Sequence, residues 1–302
     1  MTWKKLGWIF SPSGDYPWMF SHAANPVAEH VTSDIYRIYF NCRDKTHRSY
    51  IASLEIDLKF PQQVRSLSPK PLFSPGKLGT FDESGVSLGC LLNIQGKKWL
   101  YYLGWNLGPA GLWQNTIGLA VYDELSHKFI RHDQNPILDQ NQVDPFTLSY
   151  PFVIRENRKY KMWYGANLEA NNQKKNTQHV IKYAQSQDGV TWTRRGEIVL
   201  SFKRGEFAHC RPCVLRNKNK YQMWFSYKHE HHPGYRIGYA ESVDGFNWQR
   251  QDEKSAIGIS TSGWDKKMMA YPFVFNHKDK RYLLYCGNDY GKSGFGLAGT
   301  KL

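Results

Sequence analysis

Short runs of alternating apolar and polar residues recur along the chain, and they recur in register. The run YPFVIRENRKYKMWYGA begins at Tyr150; RPCVLRNKNKYQMWFSY begins at Arg211 and YPFVFNHKDKRYLLYCG at Tyr271. Their prolines, Pro151, Pro212 and Pro272, stand 61 and 60 residues apart. The first two are followed by a second signature, IKYAQSQDGVTW ending at Trp192 and IGYAESVDGFNW ending at Trp248. Weaker copies start at Gly89 and Asn25, so units of about 60 residues account for nearly the whole chain. A fixed period of this length marks repeat architecture. No boundary or long linker interrupts it, and one domain over residues 1–302 is expected.

Each copy reads as four strands. Period-two alternation marks the P-F-V run and the Y-x-M-W-Y run as strands one and two. The I-x-Y-A-x-S run is strand three. The pairs Asp188-Gly189 and Asp244-Gly245 predict hairpin turns, glycine supplying positive φ, before a fourth strand that carries the tryptophan. Four antiparallel strands repeated radially make propeller blades. The expectation is an all-β, five-bladed β-propeller of four-stranded antiparallel blades. The last copy stops after its third strand and the first is preceded by LGWIF. Residues 5–10 should therefore close the last blade, which removes exposed sheet edges.

Composition adds two facts. Aromatic residues are 15% of the chain, with 11 Trp and 19 Tyr, which suits strands. The 40 Lys and Arg against 26 Asp and Glu give a net charge of +14, spread along the chain, which points to an acidic ligand. No apolar run approaches the roughly 18 residues of a membrane span, and the first ten residues lack a signal-peptide core. Five scattered cysteines then fit reduced thiols, and a cytoplasmic location is expected. Cys210-Arg-Pro-Cys213 lacks the second pair a zinc site needs and reads as packing. His229-Glu230-His231-His232 reads as a solvated loop, so no metal is expected. No phosphate loop or dinucleotide motif occurs, no cofactor is expected, and no nucleic-acid motif backs the positive charge.

Strand direction places function. Loops leading into strand one and loops leaving strand two emerge at the same end, and strand one is innermost, so its leading residues ring a central channel. Each leading loop after the first carries acids: Asp82 and Glu83, Asp144, Glu206, Asp265. One acid per copy is also what a loop cap supplies. Glu83 and Glu206 are the less regular ones. A pair of carboxylates across a cleft is the apparatus of glycoside cleavage, and Glu83, Glu206 and Asp82 are the expected catalytic residues. Arg43, Arg48, His209 and Arg211 would hold an anion, Arg bidentately. Trp105, Tyr150 and Tyr271 would stack on sugar faces. His22, Asp44, Asp144, Lys267, Asn288 and Asp289 complete the expected binding set. The partner is a carbohydrate or anionic sugar, with no membrane.

The repeated acid…P-x-V…Y-x-M-W-Y…I-x-Y-A-x-S-x-D-G-x-x-W pattern resembles the five-bladed propeller glycosidases of glycoside hydrolase families 32, 43, 68 and 130. Ser21-His22-Ala23, Arg43-Asp44, Phe81-Asp82-x-Ser84-Gly85-Val86, Tyr101-Tyr102-x-Gly104-Trp105, Arg211-Pro212-Cys213-Val214 and Gly263-Trp264-Asp265 are similar to segments of glycosidase-like proteins from bacterial polysaccharide clusters. The resemblance implies cleavage, transfer or phosphorolysis of a glycosidic bond. The acids of families 32 and 43 do not carry over, because Asn25, Gly89 and Tyr150 stand at those places, and Lys266-Lys267 stand where the narrower group has an acid. The likeness to family 130 implies a phosphate pocket of Arg43, Arg48, His209, Arg211 and Lys267. A propeller that binds a glycan or a partner protein without chemistry is the alternative.

Overall fold

The computed structural model describes residues 1–108, 111–170, 177–217 and 219–302. Positions 109–110 and 171–176, which fall in two return loops, and Lys218 lie outside the described residues. The chain is almost wholly β, as the alternation requires. Strands β2 (Ser21–Thr32), β3 (Ile35–Arg43), β4 (Ser49–Asp57) and β5 (Val64–Leu67) pair antiparallel, each with the one before. The same meander recurs in β6 (Gly85–Ile94), β7 (Lys97–Leu107), β8 (Trp113–Asp123) and β9 (Lys128–Arg131). It recurs in β10 (Leu148–Glu156), β11 (Lys159–Asn167), β12 (His179–Ser186) and β13 (Thr193–Ile198). It recurs again in β14 (Glu206–Asn217), β15 (Lys220–His229), β16 (Arg236–Ser242) and β17 (Gln249–Arg250). The last meander holds β18 (Ala270–His277), β19 (Lys280–Cys286) and β20 (Phe295–Lys301). Strand β1 (Lys4–Phe10) lies antiparallel on β20, so the first strand completes the last sheet, as the spare LGWIF run predicts. Among the described residues no helix is long and apolar enough to cross a membrane.

Two devices repeat with the strands. The residue before the strand-one proline has positive φ at Asn25 (51°), Tyr150 (45°), Arg211 (54°) and Tyr271 (58°), where non-glycine residues are uncommon. The pairing register shifts at the same places, for example between Cys210 and Cys213. Such bulges re-aim side chains. The second device is the Asp-Gly turn. Gly189 and Gly245 take φ near 80° as expected, and their carbonyls accept hydrogen bonds from the neighbouring meander: Tyr101 Oη on Gly189 at 3.0 Å, Trp163 Nε1 on Gly245 at 2.8 Å. Trp192 and Trp248 differ from expectation. They sit in the turn just before β13 and β17 rather than on those strands, because their rings fold back onto Tyr101 and Trp163. The motif latches one sheet to the next.

Candidate functional site

The acids of the leading loops meet a common fate. Asp82 is fully buried; Tyr102 Oη donates to it at 3.0 Å and Arg131 at the end of β9 pairs with it at 2.7 Å. Asp144 takes Tyr164 Oη at 2.8 Å, Lys182 at 2.6 Å and Arg194 of β13 at 3.1 Å. Asp265 takes Tyr285 Oη at 3.1 Å and Lys5 of β1 at 2.6 Å. Glu206 is gripped on both oxygens by Arg250 of β17 at 2.9 Å, and His209 Nε2 lies 2.9 Å from one of them. Each acid thus ties its loop to the outermost strand of its own meander, β1 filling that place in the last. Buried ions of this kind need full pairing, and here they have it.

Asp82, Asp144 and Glu206, expected at the site, are thus held in ion pairs outside the pocket lining, and His209 is bonded to Glu206. Burial opposes ionisation of Glu206, but hydrogen bonds from His209, Arg250 and the Lys203 amide prevail and hold its carboxyl down to about 2. A group so acidic carries no proton to donate near neutrality. His209 is itself buried between Phe202 and Phe225, and burial lowers its pKa. Glu83 has different partners from Glu206. Its Oε2 accepts from the Gly79 amide at 2.5 Å, and Arg48 holds its carbonyl at 2.9 Å.

A different set of residues lines a pocket at the end where the leading and return loops emerge. A space of about 70 Å3, open in part to solvent, is bounded by His22, Asn25, Asn41, Arg43, Ser49, Ser87, Trp105, Trp113, Asn115, Tyr150, Tyr271 and Tyr290, with Ala24 and Leu103. The positive-φ bulges deliver Asn25, Tyr150 and Tyr271 to it. Trp105, at the end of β7, donates Nε1 to Ser49 Oγ at 2.8 Å. Trp113 stacks on it with centroids 4.5 Å apart and planes 5° from parallel, and is 41% exposed. Tyr150 and Tyr271 meet at 5.5 Å across the floor. Lys228 reaches Tyr290 Oη at 3.0 Å and lies over the ring of Tyr235. Among the described residues the amide oxygens of Asn25 and Asn115 are buried without a partner, which is an unusual state for acceptors.

The electrostatics of this mouth are positive. Burial, then Arg43, Lys292 and His47, push His22 down to about 4 against the opposing pull of Asp289. No carboxylate stands among the described residues that line the pocket. Of the expected binding residues, His22, Arg43, Trp105, Tyr150 and Tyr271 lie here. Asp44 closes its own turn, accepting from Thr46 and Arg48 amides at 2.8 and 3.0 Å. Asn288 braces the loop before β18, accepting from the Lys267 and Met268 amides. Arg48, Lys267 and Asp289 are exposed outside the lining. Arg211 is 0% exposed and does not reach the pocket wall. Trp113, Asn115, Asn41, Ser49, Ser87 and Tyr290 were not expected. Of these, Trp113 and Tyr290, both on return loops, carried an aromatic signal. Among the described residues no group of three or more His, Cys, Asp or Glu gathers as for a metal ion.

No protein-family model matches the chain. Two uncharacterized proteins of Mycobacterium tuberculosis, MT1551 and Rv1502, are each 42% identical to it over 299 residues, 99% of both lengths. Among solved structures, a glycoside hydrolase superposes with a TM-score of 0.76 at 17% identity, covering 99% of this chain and 91% of its own. BT0996, in an RGII complex, gives 0.76 at 18%, with the same coverage. Sucrose-6-phosphate hydrolase from Lactobacillus gasseri gives 0.66 at 14%, covering 96% of this chain and 61% of its own. The fold is that of the propeller-type glycoside hydrolases.

Proposed function

We propose, for a chain that belongs to one family with the two Mycobacterium tuberculosis proteins, a single five-bladed propeller domain over residues 1–302 that recognises an anionic or phosphorylated sugar at its mouth. The observation that carries this reading is the make-up of the pocket. Aromatic faces at Trp105, Trp113, Tyr150 and Tyr271 suit the apolar faces of a sugar ring. The unpartnered oxygens of Asn25 and Asn115 await hydroxyl donors. Arg43 and His22, with Lys292 and Lys228 near the rim, suit a phosphate or carboxylate. The propeller-type glycoside hydrolase fold agrees with a carbohydrate-active role, and the likeness to a sucrose-6-phosphate hydrolase agrees with a charged sugar.

Binding is better supported than two-carboxylate cleavage, because Asp82 and Glu206 are already consumed by Arg131 and Arg250. Cleavage or transfer of a glycosidic bond is kept as the second reading on one observation. Glu83 is only half-buried and lies two residues before Gly85, which pairs with Trp105 at the mouth. The test is calorimetric titration with sugar phosphates, uronic-acid oligosaccharides and their neutral counterparts, followed by product analysis after long incubation. Heat from the charged sugars without product is the expected result. Equal binding of neutral sugars, or none of any, overturns the charge-selective reading; product that disappears in Glu83→Gln promotes the second.

A further inference from the structure

Below the mouth, where the inner strands β6, β10, β14 and β18 converge, one side chain has no account in the proposed sugar site. Arg211 is fully buried and among the largest side chains with no exposure. Its Nη1 donates to the carbonyl of Gly89, from a different meander. Gly89 occupies the place that Tyr150, Arg211 and Tyr271 hold in the other copies, and a Cβ there would lie 2.5 Å from the Pro151 and Tyr101 carbonyl oxygens.

The rest of the guanidinium is unsatisfied. Nε and Nη2 are buried with no acceptor, and among the described residues no carboxylate pairs with Arg211. The groups in electrostatic reach are Cys213, Cys90, Tyr150 and Cys286. All four are neutral near pH 7, since burial pushes each of them up to about 12. Arginine stays protonated in proteins, and an uncompensated buried charge costs several kcal/mol. Nε–H and Nη2–H lie on one edge of the planar group and converge on a single point, the fork that favours anions. We propose that this edge of Arg211 binds a small inorganic monoanion of halide size, at a site separate from the mouth. The full burial of the side chain favours a small ion over a sugar carboxylate, and the missing countercharge favours an ion over a water molecule.

Crystals of the full chain soaked in sodium bromide test this without any variant. The expected result is an anomalous peak in hydrogen-bonding distance of both Nε and Nη2; water-level density there, or bromide only at the surface, overturns the proposal. In solution, replacing sodium methanesulfonate by sodium chloride at fixed ionic strength should raise Tm saturably by roughly 2 °C or more, as a ligand specific to the folded state does. Arg211→Met should remove the response. A rise that persists in Arg211→Met, or no rise in the wild type, counts against the site. The outcome is independent of whether the mouth takes a sugar.

Discussion

Two rings of polar residues occupy the same end of this molecule and behave in opposite ways. The outer ring is acidic: Asp82, Asp144, Glu206 and Asp265 have buried side chains matched to Arg131, Arg194, Arg250 and Lys5. The inner ring is the mouth, where Asn25, Asn115, His22 and Arg43 stand among aromatic faces with unmet hydrogen bonds or unpaired charge. The difference teaches that a residue type is not a role. Carboxylates in the loops of a glycosidase-like fold look catalytic in sequence, yet these are spent on holding loops to outer strands. The amides, which look inert in sequence, are the groups whose oxygens stay unpartnered among the described residues.

The comparison breaks most visibly by removing a clamp. Arg250→Ala leaves Glu206 buried without its bidentate partner, and unfolding in denaturant should show a loss of about 3–5 kcal/mol. Mouth affinity in the surviving folded protein should change little. A variant as stable as the parent would return Glu206 to the list of available acids.

Acid titration sharpens the same point. The Glu206 carboxyl is held at about 2 in the folded chain against an ordinary 4.5. Its contribution to stability is therefore complete above pH 4.5 and is lost as pH falls towards about 2. Thermal melts of the wild type and Glu206→Gln should converge across that window, the variant being the flatter of the two.

Smaller effects belong to the mouth. Asn115→Ala should weaken a bound sugar roughly 2- to 10-fold, the worth of one hydrogen bond, and leave stability within about 0.5 kcal/mol. The exposed Trp113→Ala should weaken it by a comparable factor. The subtlest effect is in pH. His22 is held at about 4 below its ordinary 6.5, chiefly by burial and then by Arg43, Lys292 and His47, with Asp289 opposing. An anionic ligand offsets those cations and favours the protonated ring. Affinity should rise as pH falls from 6.5 towards 4, by less than about tenfold per unit for one proton, and His22→Gln should flatten the profile.

The repeat made the strands legible. Period-two alternation and a fixed proline spacing located β10, β14 and β18, and the spare LGWIF run located β1 against β20. The Asp-Gly turns were legible as turns, but not as latches, because the donors Tyr101 and Trp163 sit more than 80 residues away in sequence. The cationic partners of the acids were hidden for the same reason. Asp82 meets Arg131 only when β9 folds beside its loop, and nothing in the local sequence announces that partner. Trp113 and Asn115 escaped notice because their return loop varies between copies, so periodicity gave no handle on them. Arg211 was visible as a cation before a strand-one proline, but its contact with the Gly89 carbonyl, 122 residues away in sequence, was not.

The most direct test of the two-ring account measures Tm and ligand affinity together in Glu206→Gln and Asn115→Ala. The account predicts a crossed result. Glu206→Gln should lower Tm while the Kd for a charged sugar stays within about twofold, and Asn115→Ala should weaken binding while Tm holds. A Glu206→Gln protein that melts like the wild type but no longer binds or turns over a sugar would contradict it.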